Sequence, residues 1–137
     1  MTYAQRYGLQ SADRVVETIT QFGMSKHHVI YLYTDASGIE WMAENVKGHG
    51  VKLMTAQQHF GNAKAVCRIE KFVGTLDERR AAVQRALQQV GRPYDLIKFN
   101  CEHFAEQVQT GKPRSRQVEH VALGLAALCI IGLLTAE

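Results

Sequence analysis

Asn100-Cys101-Glu102-His103-Phe104 places a cysteine at the start of what reads as a helix, directly after an asparagine able to cap it. A helix start leaves N–H groups unpaired and carries a partial positive charge. Both favour thiolate over thiol, so a cysteine there tends to be nucleophilic. Far upstream, Lys26-His27-His28-Val29-Ile30-Tyr31-Leu32 leads a histidine into a strand. A thiol and an imidazole brought together are sufficient for nucleophilic acyl transfer. His27 could take the thiol proton and later return it to a leaving group. His27 and His28 point to opposite faces of the strand, so one of them faces the core, and the residues alone do not choose between them. His103 lies two residues beyond Cys101, and such positions do not face each other on a helix. It therefore reads as a capping or packing residue. The backbone N–H of Cys101 is the candidate oxyanion donor. His49, His59 and His120 lack a partner pattern and read as solvent-exposed or loop residues.

These residues need a scaffold that brings a strand start against a helix start. Arg14 to Ile19 reads as a first strand, Phe22-Gly23-Met24-Ser25 as a turn, and His28 to Tyr33, β-branched and aromatic, as a second strand. Asp35-Ala36-Ser37-Gly38 is a hairpin turn, returning through Ile39 to Asn45. Val51 to Met54 is a short strand, and Thr55 caps a short helix reaching Phe60. Ala65 to Phe72 alternates at period two, as a half-buried strand does. The period then changes. Thr75 and Glu78 form a capping box, with Leu76, Val83, Leu87 and Val90 on one helical face up to Gly91. Cys101 to Gln109 forms a second long helix with Phe104, Ala105 and Val108 inward. Strands followed by helices predict an α+β domain, an antiparallel sheet packed against helices.

With 137 residues the chain has room for one domain and its core. A net charge of +3, without any Lys/Arg block, argues against nucleic acid as a partner. Cys67, Cys101 and Cys129 are too few and too far apart for a disulfide framework, and a reducing compartment is expected. No Cys/His group has metal-ligand spacing, no Gly-rich phosphate loop occurs, and no cofactor is expected. Met1 to Tyr7 has no apolar run, so no secretory leader is expected.

Val121 to Leu134 carries no charge and no strongly polar group. As a helix these residues extend roughly 21 Å, whereas a full span usually takes about 20 apolar residues. The segment is expected to be a short transmembrane tail anchor, a partly inserted helix or a buried hairpin helix. Lys112, Arg114 and Arg116 flank it and suit a cytoplasmic face. The expected division is a catalytic domain over 1–112, a basic linker over 113–120 and an apolar membrane-associating segment over 121–137.

Asn100-Cys101-Glu102-His103-Phe104, preceded by His27-His28-Val29-Ile30-Tyr31-Leu32, resembles the signature pair of the lecithin retinol acyltransferase-like family, the H-box/NC proteins. The basic stretch Arg114-Ser115-Arg116-Gln117-Val118 and the apolar tail resemble its phospholipase/acyltransferase members, and the spacing looks bacterial. The resemblance implies a circularly permuted papain-like thiol hydrolase fold, in which the histidine precedes the cysteine. It implies that Cys101 attacks an ester carbonyl of a glycerophospholipid, forms a thioester, and passes the acyl group to water, an amine or an alcohol. It also selects His27 over His28 as the base, and a phospholipid membrane as partner.

The family carries a second histidine that orients the first, and by alignment its position falls on Trp41. An indole N–H only donates and cannot accept an imidazole N–H. Asn45, on the face of Trp41 by strand alternation, is the expected third residue, with Glu44 on the opposite face as the other candidate. If neither reaches His27, the chain is a weak or inactive interaction module of the same fold. A cysteine amidase or peptidase is a further alternative.

Overall fold

The computed structural model describes residues 1–19, 26–61 and 66–135, with side chains placed through residue 128. Five strands, β1 (Arg14–Thr18), β2 (Lys26–Thr34), β3 (Glu40–Val46), β4 (Gly50–Thr55) and β5 (Val66–Glu70), form one sheet in the order β4-β3-β2-β1-β5. Every pairing is antiparallel. The helices are α1 (Tyr3–Tyr7), α2 (Ala56–Phe60), α3 (Leu76–Gln88), α4 (Cys101–Thr110) and α5 (Arg116–Thr135). The α+β class is as the residues predict. The turn expected over 22–25 lies outside the described residues.

Helices cover both faces of the sheet. On one face Ile30, Leu32 and Ala43 pack with Val83 and Ala86 of α3 and Phe104 and Val108 of α4. On the other, Val15, Val29, Tyr31 and Met42 pack with Leu9 and with Ala56 of α2. That is why His28 to Leu32 is an unbroken buried run: a strand covered on both sides has no solvent face to leave polar.

Two elements differ from expectation. α1 was not anticipated, although Thr2 and Gln5 form a reciprocal capping box. It docks through the buried Glu40 carboxylate, which accepts the N–H groups of Tyr3 and Ala4 at 2.9 and 2.7 Å. In α3 the inward face is Ala82, Val83 and Ala86, with Leu87 partly buried. Leu76 and Val90 are 63% and 44% exposed. Leu76 sits in the first turn and Val90 beyond the last, outside the stretch that packs on the sheet.

α5 begins inside the stretch expected to be a basic linker. Its first turn is tied by Ser115, whose hydroxyl accepts the Val118 N–H at 3.3 Å, and by the Arg114–Glu119 pair at 2.7 Å. Val121, Leu123, Leu125 and Leu128 are 59–68% exposed. Among the described residues no helix is long and apolar enough to cross a membrane, so the expected transmembrane helix is not found there.

The β2–β3 hairpin contains one irregularity that governs the site. At the turn end, Thr34 pairs with Glu40 and Tyr33 with Trp41. Past a bulge between Tyr31 and Tyr33 the register is one residue different, so that Tyr31 pairs with Met42 and Val29 with Glu44. A shift of one residue moves every subsequent side chain to the other face.

Candidate active site

The start of β2 and the start of α4 meet at one end of the sheet. Each residue of the 100–104 signature has a separate task. Asn100 caps α4, its side-chain oxygen accepting the N–H groups of Glu102 and His103, both at 3.0 Å. His103 completes the cap, its Nδ1 accepting the Asn100 N–H at 3.1 Å. Its pKa is lowered, chiefly by burial, which suits a neutral acceptor. Glu102 accepts the Ser115 hydroxyl at 2.8 Å and the Gln117 N–H at 3.1 Å, fixing the start of α5 to α4. Phe104 is fully buried in the core. Cys101 is left in the first turn with its thiol toward β2, 3.8 Å from the Lys26 carbonyl that accepts from it.

His27 is the histidine that meets this thiol. Its Nε2 lies 2.7 Å from Oε2 of Glu44, which leaves Nδ1 for the Cys101 side. Burial lowers the pKa of His27, but hydrogen bonds with the Cys101 thiol and the Glu44 carboxylate outweigh it, and the ring is pushed up to about 9. Glu44 shows the reciprocal effect. Burial raises its carboxyl, and the His27 ring, helped by Lys52 at 3.5 Å, holds it below the usual range. The ring that these shifts favour in its protonated form lies between a carboxylate and the Cys101 side chain.

His28 points to the opposite face. It is 2% exposed and lowered to about 4, first by burial and then by the Arg14 charge. A ring held neutral and away from the thiol is a core residue here.

The expected third residue requires correction. Asn45 does not hold His27: its Nδ2 donates to the Phe99 carbonyl at 2.8 Å, on the α4 side of the sheet. Glu44 does, on the α2 side. Counting back from the turn without the bulge pairs Val29 with Asn45, and so puts Asn45 on the face of His27. The bulge reverses that parity. Trp41 is not part of the site at all. It lies at the turn end of the hairpin, its indole N–H donating to Asp35 at 2.9 Å. His59, expected in solvent or in a loop, is fully buried in α2, with Nε2 2.7 Å from Oε1 of Glu17.

Tyr94, in the loop between α3 and α4, is a further site residue that lines both cavities beside Cys101. Its phenol is raised, first by burial and then by the charge on Cys101. The loop that carries it is held to β4 by the Val51 N–H, which donates to the Arg92 carbonyl at 3.0 Å, and by the Gly91 N–H, which donates to the Val51 carbonyl at 2.8 Å. Gly50 is required at this approach: its φ is +73°, and a Cβ would collide with the Arg92 carbonyl.

Cys101 and Tyr94 separate two cavities. One, of about 430 Å³, has apolar walls that include Ile19, Leu96 and Ile97 and, from α5, Val121 and Leu125. The other, of about 500 Å³, is the more polar of the two: Ile19, Val46 and Met54 share its walls with His27, Glu44, Asn45, Lys47 and Lys52. No group of three or more potential metal ligands occurs among the described residues.

A family model described as lecithin retinol acyltransferase matches residues 12–114, which include His27, Glu44, Asn45, Tyr94 and Cys101. Similar curated relatives include phospholipase A and acyltransferase 3 of Mus musculus, 39% identical over 64 residues, which are 40% of this chain and 40% of that protein. The Homo sapiens protein of the same name is 39% identical over 61 residues, 38% of each chain. Phospholipase A and acyltransferase 5 of Rattus norvegicus is 46% identical over 41 residues, 28% of this chain and 14% of that one. The matched stretches thus span well under half the length of these relatives.

Proposed function

The chain belongs to the lecithin retinol acyltransferase family, and from that premise we propose that it is a thiol-dependent phospholipid acyltransferase or phospholipase A. The observation that carries this reading is the His27 ring held between the Glu44 carboxylate and the thiol of Cys101, a residue that itself lines an apolar cavity. In the proposed attacking form His27 has taken the thiol proton and the negative charge lies on Sγ. The thiolate attacks the ester carbonyl of a glycerophospholipid, with the acyl chain along Leu96, Ile97 and the first turns of α5. The oxyanion is met by the Cys101 N–H in the open first turn of α4. His27 gives its proton to the departing glycerol oxygen, leaving a thioester and a neutral imidazole. Acylation removes the negative charge from sulfur, which lowers the affinity of His27 for a proton and readies it to act as base.

Glu44 takes the orienting role that a second histidine has in the family. Its carboxylate accepts the Nε2–H and stabilises the imidazolium, as the acidic member of a catalytic triad does. This argues against an inactive interaction module, because Glu44 offers the acceptor that Trp41 lacks. The membrane as partner belongs to the same proposal. Exposed Leu96 and Ile97, with the apolar side of α5, surround the mouth of the acyl cavity. A lipid surface at the cytoplasmic face would cover them while delivering the chain.

The test is intact-mass spectrometry after incubation with phosphatidylcholine vesicles, wild type beside Cys101→Ala. An added acyl mass on wild type alone, released by hydroxylamine and matched by lysolipid, is expected. No adduct and no lysolipid would refute the reading.

A further inference from the structure

Asn45 is 1% exposed, and its amide is oriented by the hydrogen bond from Nδ2 to the Phe99 carbonyl. Its Oδ1 is then directed away from that tether, and among the described residues no group donates to it. A buried acceptor without a donor costs about 1–3 kcal/mol, so such an atom calls for an explanation. Asn45 lines the more polar cavity, as do Cys101 and His27. The two cavities meet at Cys101, one walled by aliphatic side chains and the other by His27, Glu44, Lys47 and Lys52. An acyl chain seated in the first leaves the second open to the thioester carbon.

We infer that the more polar cavity is the subsite of the acyl acceptor, and that Asn45 Oδ1 is its anchor, accepting a hydrogen bond from a small nucleophile with two hydrogens on its reacting atom, a primary amine or, in the simplest case, water. This rests on the proposed thioester chemistry. An acceptor hydrogen-bonded to Asn45 is held by one hydrogen while the other faces His27. His27, neutral after acylation, takes that proton. The acceptor's reacting atom bonds to the thioester carbon, the C–Sγ bond breaks, and its electron pair returns to sulfur. The products are the acylated acceptor and the original imidazolium–thiolate pair, with no other reactant consumed. Asn45 changes no bond and is a positioning residue. A phospholipid entering from the apolar side requires no hydrogen bond from Oδ1, so the residue acts in the second half-reaction rather than the first.

The experiment follows both half-reactions in wild type, Asn45→Ala and Asn45→Asp, with phosphatidylcholine vesicles as donor and water as acceptor. Rapid-quench mass spectrometry gives the rate of thioester formation, and fatty acid release gives its breakdown. Asn45→Ala is expected to form thioester at close to the wild-type rate and to release it about tenfold more slowly, so that acyl-enzyme accumulates. Asn45→Asp keeps an acceptor oxygen but loses the donor to Phe99, and is expected to recover release. If both variants instead slow thioester formation and leave release in proportion, Asn45 only tethers Phe99 and the inference is overturned. If wild type forms no thioester, the acyl-transfer reading itself fails and the subsite with it. Thermal melting of each variant separates these results from loss of folding.

Discussion

Glu44→Gln isolates the charge in the proposed triad while keeping its shape. The amide can still accept the His27 Nε2–H, so the ring should stay in place. What disappears is a negative charge 2.7 Å from Nε2, between side chains only 12% and 5% exposed. Hydrogen bonds to charged groups at such sites contribute about 1.5–3 kcal/mol, and a pKa unit corresponds to about 1.4 kcal/mol. The His27 midpoint, now about 9, should therefore fall by about one to two units. The Cε1–H resonance of His27 followed by NMR from pH 5 to 10 reads this directly. The alkaline limb of the rate of phospholipid cleavage should move down with it, since acylation needs the imidazolium as acid. A His27 midpoint unmoved by Glu44→Gln would refute the assignment of Glu44.

The same raised pKa has a consequence for folding. His27 binds its proton more tightly folded than unfolded, so its contribution is complete below about pH 6.5 and is lost as pH rises through about 9; urea midpoints at pH 6.5 and 9.5 should show the decline, and Glu44→Gln should flatten it. His28 has the opposite sign: lowered to about 4, it costs stability as pH falls from about 6.5 toward 4, and His28→Phe should reduce that acid slope in parallel denaturation curves. Ser115→Ala removes a donor to the buried Glu102 and should lower stability by about 1–3 kcal/mol, read by denaturant unfolding, with α5 more open to limited proteolysis. Leu125→Lys places a charge on the wall of the apolar cavity, and at an exposed position it should leave the melting temperature nearly unchanged. Cleavage of long-chain phosphatidylcholine should fall about tenfold relative to a short-chain ester, as the lost burial of two methylenes implies; an equal loss on both substrates would argue against an acyl groove there.

Features whose physics is local are legible in the residues alone. Capping residues mark the starts of α2, α3 and α4, because Thr55, Thr75 and Asn100 satisfy N–H groups within their own turn. β-Branched and aromatic runs mark β2, and the position of Cys101 in a first turn identifies the thiol. The order of His27 and Cys101 along the chain pointed to the family. The remaining features depend on register and on contacts between distant segments, and emerge only in the folded chain. The partner of His27 follows from a single bulge in the β2–β3 hairpin, where one extra residue moves Glu44 onto the ring and Asn45 away from it. No local propensity encodes that parity, so alternation counted from the turn selects the wrong neighbour. The division between apolar and polar cavities is likewise invisible in the chain, because residues from β1, the 94–97 loop and α5 meet around Cys101 only after the sheet and helices have packed.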